Sequence, residues 1–189
     1  MRKWALSALG GVALAWSAAP QAGAIGLEIE IAGEGANGTV VIDLLEEVAP
    51  AHVKQIAGLA AEGAYDDVVF HRVIAGFMAQ TGDVQYGKMG ADMRRAGTGG
   101  SDRDDLAAEF SDVPYDRGVV GMARAQNPNS ANSQFFIMFA PGPFLNGQYT
   151  VVGRVTEGME VVDQIKLGDG PNGAVLGQPD RMVTVTVTE

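Results

Sequence analysis

The sequence predicts a mainly β protein, closed or nearly closed on itself, with two α-helices. Three observations carry this. Short runs of Val, Ile, Thr and Phe recur between turn residues, and 26 of the 189 residues are glycine, which suits many turns better than a helix bundle. Only two segments change to a helical period, and they lie too far apart for repeated strand–helix–strand units. The final run, residues 182–188, alternates valine with threonine and reads as a closing strand. Pattern alone does not choose between a barrel and a sandwich.

Each element follows in order. Residues 27–31 alternate apolar and acidic side chains, as a strand with one wet face does. The β-branched run 38–44 is its partner, with Asn37-Gly38 as the turn. Over residues 50–62 the period changes: Val53, Ile56, Ala57, Leu59 and Ala60 form a helical stripe, with Pro50 in the first turn and Gly63 just past the end. Residues 68–74 and 77–81 are strands around Ala75-Gly76. Between 84 and 116 the periodicity dissolves into a long loop, and loops of such length carry function or disorder. Within it, Gly97-Thr98-Gly99-Gly100 is too short and misplaced for a phosphate cradle and reads as flexible. Asp102, Asp104 and Asp105 lack the EF-hand spacing and read as a solvated face. Residues 119–123, 134–139 and 150–155 are further strands, and 159–167 is a short helix with Val161, Val162 and Ile165 inward. No repeat or linker divides residues 25–189, which are expected to form one domain.

Residues 1–24 read as a secretory leader. Arg2 and Lys3 supply the positive start, an apolar stretch follows, and Ala22-Gly23-Ala24 is an A-x-A cleavage pattern, so the mature chain is expected to begin near Ile25. The alternative is an uncleaved membrane anchor, but the apolar stretch is short for a span of about 20 residues; with no other long apolar segment, no membrane contact is expected after cleavage. The 13 basic against 23 acidic residues argue against nucleic acid, whose phosphates need clustered Lys and Arg. The absence of cysteine excludes disulfides, thiolate catalysis and thiolate metal sites. Two histidines cannot build a histidine-rich metal cluster, and neither metal nor cofactor is expected. Of the two, His71 is expected to be a hydrogen-bonded interior residue, and His52 structural or exposed. No extra helix or tail suggests assembly, so a monomer is expected.

The chemistry concentrates in Phe70-His71-Arg72-Val73-Ile74-Ala75-Gly76-Phe77-Met78-Ala79-Gln80-Thr81-Gly82-Asp83. An isolated arginine in such a strand is more often a surface residue whose stem covers apolar area. Here the turn decides. A three-residue turn, Ala75-Gly76-Phe77, sets Arg72 opposite Gln80; a two-residue turn pairs Arg72 with Ala79 and sends Gln80 to the other face. In the second run, Ser133-Gln134-Phe135-Phe136-Ile137-Met138, the adjacent phenylalanines point to opposite faces, one to the core and one to a groove. Leu145 follows Pro141-Gly142-Pro143, where an exposed apolar residue is costly without a partner, and is assigned to a pocket.

These runs resemble the active face of the cyclophilins, a family of peptidyl-prolyl cis/trans isomerases. Phe70 through Asp83 reproduces the family motif. So do Gly121-Met122-Ala123-Arg124-Ala125 with Asn129, Ser133-Gln134-Phe135-Phe136-Ile137, and Phe144-Leu145-Asn146-Gly147-Gln148-Tyr149-Thr150-Val151-Val152-Gly153, in the same order over residues 27–187. The resemblance implies an eight-stranded antiparallel β-barrel closed by two α-helices, and favours the three-residue turn. It implies that Arg72 is the main catalytic residue, with Gln80 orienting it and contacting the substrate backbone. Phe77, Met78, Phe136 and Leu145 would hold the proline ring. Ala123, Arg124 and Gln134 would line the groove, the Arg124 main chain binding the peptide. Phe144 stands where many eukaryotic members have tryptophan and Tyr149 where they have histidine. Both belong to the substrate-binding set, and loss of the tryptophan N–H implies weak cyclosporin binding with isomerase activity intact. The implied partners are proline-containing peptides and unfolded exported proteins, in the periplasm. A peptide-binding chaperone module with incidental isomerase activity is the alternative on the same scaffold. The complete set of Arg72, Phe77, Gln80, Phe136 and Leu145 favours the enzyme.

Overall fold

The computed structural model describes residues 25–189; the expected leader lies outside the described residues. In chain order the elements are β1 (Gly26–Ala32), β2 (Gly38–Leu44), α1 (Pro50–Ala61), β3 (Val68–Val69), β4 (Arg72–Ile74), β5 (Met78–Thr81), β6 (Val119–Met122), β7 (Phe135–Met138), β8 (Val151–Glu157), α2 (Met159–Val162) and β9 (Arg181–Thr188). They form one antiparallel sheet in the order β3-β9-β1-β2-β8-β6-β7-β5-β4. Its two edge strands, β3 and β4, are separated in the chain only by Phe70 and His71. The sheet therefore curls until its edges meet in a single stretch of backbone, and the choice between sandwich and barrel falls to the barrel. The break has a local cause: the Phe70 N–H donates to the Asp180 carbonyl (2.9 Å), and the His71 carbonyl accepts from the Val175 N–H (3.0 Å). Counted as one broken strand, β3 and β4 bring the nine hydrogen-bonded segments to the eight-stranded architecture expected.

The core sits inside this curl. Leu27, Ile29 and Ile31 on β1 and Val40, Ile42 and Leu44 on β2 all face inward, as strand alternation requires. α1 covers one opening with Val53, Ile56, Leu59 and Ala60, and α2 contributes Val161 and Val162. Each buried Val, Leu or Ile side chain among these is worth roughly 1.5–3 kcal/mol relative to exposure. Pro50 fits the first turn of α1, where its missing N–H costs nothing. The N–H groups of Ala51 and His52 donate to the Glu109 carboxylate (3.2 and 3.1 Å), so a residue of the long loop caps the helix. His52 is fully buried, its Nδ1 2.6 Å from Glu109 Oε2, which settles its role as structural.

Three local expectations are corrected. The β1–β2 connection is not a tight Asn37-Gly38 turn. Ile31 pairs with Gly38, and the intervening loop is gathered by buried Asp180, whose carboxylate accepts from the N–H groups of Gly35 (2.9 Å), Ala36 (3.0 Å) and Lys166 (2.7 Å). The same carboxylate shortens α2, which ends at Val162 because the following backbone tightens into turns that deliver Lys166 to Asp180. The third correction concerns the tetrad at 97–100, which is pinned rather than flexible. Buried Asp83 accepts from the N–H groups of Gln85 (3.1 Å), Tyr86 (2.8 Å), Gly97 (2.7 Å) and Gly99 (3.0 Å). Asn132 holds Ser101 from the other side, through both its N–H and its hydroxyl (each 2.7 Å). Asp102, Asp104 and Asp105 are exposed, as expected.

Candidate active site

The site begins with a hairpin. Ala75-Gly76-Phe77 form a three-residue turn closed by the Phe77 N–H donating to the Ile74 carbonyl (3.0 Å). Gly76 sits at φ +68°, a left-handed conformation that glycine adopts without cost. The resulting register pairs Arg72 with Gln80, Val73 with Ala79 and Ile74 with Met78. Val73 and Ala79 fill the core, which turns Arg72 and Gln80 to the other face.

There the Arg72 guanidinium is held on two sides. Its Nη1 donates to Gln80 Oε1 (3.1 Å) and lies 4.0 Å from the Met78 sulfur. Its Nε donates to the Asn172 carbonyl (2.9 Å) and its Nη2 to Asn172 Oδ1 (3.1 Å). Gln80 passes the connection on, donating from Nε2 to Gln134 Oε1 (2.9 Å), and Gln134 donates to the Gly99 carbonyl (2.8 Å). A relay of amides thus ties the arginine to the loop that Asp83 pins. Half-burial lowers the Arg72 pKa from its usual value, but a guanidinium remains charged at neutral pH.

Beneath the arginine lies a second apolar cluster, on the opposite face of the sheet from the main core. Met78, Tyr115, Phe136, Met138, Leu145 and Val151 are buried in it. The expected division of the two phenylalanines holds. Phe135 enters the main core edge-on to Tyr65 (5.6 Å between ring centres). Phe136 lies between Tyr115 (5.8 Å) and Tyr149 (5.9 Å) at the base of a cleft of about 420 Å³. That cleft is lined by Gln148, which was not expected there, and by Arg72, Gln80, Phe77, Met78, Ala123, Arg124, Phe136, Phe144, Leu145 and Tyr149, all predicted as site residues. Gln134, the remaining one, lines an adjoining cleft of about 480 Å³, which shares Gln80, Ala123 and Arg124 with the first.

The walls differ in character. Leu145 is only 6% exposed, set into the floor by the 3-10 turn Pro143–Leu145. Phe144, beside it, is 68% exposed and rests against Phe77 (5.5 Å between ring centres), forming a rim rather than a floor. Tyr149 carries the Arg124 guanidinium 4.4 Å above its ring, and Arg124 also donates to the carbonyls of Ala125 (2.9 Å) and Gln148 (2.9 Å). The Arg124 side chain is thereby folded along the wall and leaves the cleft open.

His71 is a correction. It is interior, 8% exposed, but neither ring nitrogen has a hydrogen-bond partner among the described residues. The Val69 carbonyl and the Gln134 side chain approach the ring without reaching hydrogen-bonding geometry. Burial pulls its pKa down to about 4, against the pull of nearby Asp83, and the Arg72 charge lowers it further. The imidazole is therefore neutral near pH 7. Sequence reasoning also missed Asn172, which reaches Arg72 across 100 positions of chain. Its only sequence signal is Pro171-Asn172-Gly173, which marks a turn but not what the turn touches.

Comparison with known proteins gives the family and the fold. Residues 27–187 match the family model described as cyclophilin-type peptidyl-prolyl cis-trans isomerase/CLD. A probable peptidyl-prolyl cis-trans isomerase of Brucella suis is 54% identical over 185 residues, covering 97% of this chain and 94% of the relative. The peptidyl-prolyl cis-trans isomerase-like 1 protein of Aspergillus oryzae is 35% identical over 139 residues, 73% of this chain and 82% of that protein. A crystal structure of a cyclophilin from Hirschia baltica superposes with a TM-score of 0.69 at 27% identity, covering 85% of this chain and 73% of that one. A Cryptosporidium parvum cyclophilin-type isomerase, solved in the presence of the dipeptide Ala-Pro, gives 0.71 at 26% identity, covering 87% and 99%. Matched by the family model over residues 27–187 and 54% identical to a named isomerase over 97% of its length, the chain belongs to the cyclophilin-type peptidyl-prolyl cis-trans isomerases.

Proposed function

We propose that the 420 Å³ cleft is where this isomerase acts, with Arg72 as the catalytic residue and proline-containing peptides as the substrate. The observation that carries this reading is a guanidinium fixed by Gln80 and Asn172 at the rim of an apolar cleft. Rotation about a peptide bond meets a barrier of ~18–20 kcal/mol from amide resonance, and X–Pro bonds take tens to hundreds of seconds uncatalysed. No covalent bond breaks, so the catalyst needs only to favour the twisted amide over the planar one. Twisting returns the lone pair to the proline nitrogen. A guanidinium N–H beside that nitrogen gains a hydrogen bond that the planar amide does not offer. Met78, Phe136 and Leu145 seat the ring while the preceding carbonyl swings, and the apolar floor keeps water from screening the charge. Gln80 serves as the arginine's positioner and as a contact for the substrate backbone. The Arg124 main chain, which takes no part in an internal hydrogen bond among the described residues, is free to pair with the peptide beside Ala123 and Gln134.

The test is Arg72→Ala in a proline-peptide isomerisation assay. The expected result is a fall of ~10²–10³ in kcat/KM, as for removal of other preorganised donors, with the thermal midpoint little changed. A variant as fast as the parent protein ends the assignment. Phe144 offers the rim an aromatic face without an N–H, which supports weak cyclosporin binding; inhibition by cyclosporin as strong as that of a tryptophan-bearing member would contradict it.

The same reading places the enzyme's work on exported proteins in the periplasm. The support is the leader pattern of residues 1–24 and the strongly acidic balance of the rest of the chain. Amino-terminal sequencing of the protein from cell fractions is expected to find Ile25 or a close neighbour first, in the periplasmic extract. An intact Met1 in the cytoplasm would overturn this placement.

A further inference from the structure

We propose that Asn172 is a positioning residue of the isomerase, holding the Nε–Nη2 edge of the Arg72 guanidinium while Gln80 holds Nη1. This rests on the assignment of Arg72 as catalytic. Two acceptors on one residue, the Asn172 carbonyl and its Oδ1, take two donors on one edge of the arginine (2.9 and 3.1 Å). A planar guanidinium caught from both sides loses its freedom to swing and to rotate, and its remaining N–H bonds are left for the cleft. Gln80 alone would leave it free to pivot about Nη1.

The placement of Asn172 is itself fixed relative to Arg72. Its turn, Pro171–Gly173, lies along β4 and is joined to the two neighbours of Arg72. The His71 carbonyl accepts from the Val175 N–H (3.0 Å), and the Val73 carbonyl accepts from the Gly168 N–H (2.9 Å). The turn closes on itself through the Gly170 N–H donating to the Ala174 carbonyl (2.9 Å). Asn172 adopts φ +56°, ψ +29°, a left-handed conformation that most side chains avoid. That conformation presents both its acceptors to one guanidinium. Gly173 follows at φ +77°, and a Cβ there would run into the Ile74 side chain, so the turn packs directly on the strand that carries the arginine. Asparagine suits the position for two reasons: it tolerates the left-handed region, and its amide oxygen is an acceptor without charge. A carboxylate in its place would pair with the arginine as an ion.

The experiment is a double-mutant cycle on kcat/KM with a proline-peptide substrate, using Asn172→Gly, Arg72→Ala and the two together. Glycine accepts the backbone conformation and keeps the carbonyl acceptor, so only Oδ1 is lost and folding is preserved. Asn172→Gly is expected to lower kcat and kcat/KM together by about tenfold, with KM and the thermal midpoint nearly unchanged. In the Arg72→Ala background it is expected to change nothing further. Asn172→Asp, which restores an oxygen to the same N–H, is expected to recover part of the loss. An equal loss in both backgrounds, or an unimpaired Asn172→Gly beside an impaired Arg72→Ala, overturns the proposal while leaving Arg72 in its role. A fully active Arg72→Ala removes the parent assignment, and the role of Asn172 with it.

Discussion

At the scale of single residues, the site sets two neighbours on one strand to opposite tasks. Arg72 stays charged and faces the cleft, while His71 faces inward and is kept neutral by burial. The second condition has a stability consequence. His71 has a folded pKa of about 4 against an ordinary value of 6.5. Between these values the unfolded chain binds a proton that the folded chain refuses, so protonation favours unfolding. The contribution of neutral His71 is fully present above pH 6.5 and is lost as pH falls toward 4, a total of about 3 kcal/mol. Urea midpoints measured from pH 7 to pH 4 should decline more steeply for the parent protein than for His71→Gln. Parallel curves would show that the ring is not the titrating group. That Arg72 and Gln80 could share a face, and that Phe135 and Phe136 divide between core and groove, was legible from the run 70–83 and from strand alternation. The partner of Arg72 at Asn172 was not, because no periodicity connects residues 100 positions apart.

At the scale of elements, two buried carboxylates organise what strand patterns could not. Asp83 collects four backbone N–H groups and so shapes the loop that presents Gly99 to Gln134. Asp180 does the same for the β1–β2 connection and the end of α2. Asp83→Ala would leave four donors without their acceptor and is expected to cost about 3–5 kcal/mol by denaturant titration. Under conditions where the variant is still folded, isomerase activity should also drop several-fold, because the Gln134 anchor loosens. A change in stability within about 0.5 kcal/mol would place Asp83 among ordinary surface positions. Strand and helix type were readable here from period-2 and period-3.6 patterns. Loop order was not, since a carboxylate that gathers amides leaves no repeat in the sequence.

At the scale of the whole molecule, closure of the sheet brings the chemistry together. Residues 68–74 read as a single strand, yet the chain divides them into β3 on β9 and β4 on β5, with Phe70 and His71 bonded across the seam to Asp180 and Val175. That seam lays the Asn172 turn beside Arg72. The sequence by itself determined the mainly β class, the two helices, the inward faces of the strands and the residue types of the cleft. These follow from local alternation and from three short motif runs, at residues 70–83, 121–137 and 144–153. Only the tertiary structure decided the hairpin register, the burial of His71 without hydrogen-bond partners among the described residues, the loops gathered on Asp83 and Asp180, and the second hold on the arginine. Each depends on groups that meet only after the barrel closes, and contacts made by closure are written in no local period of the chain.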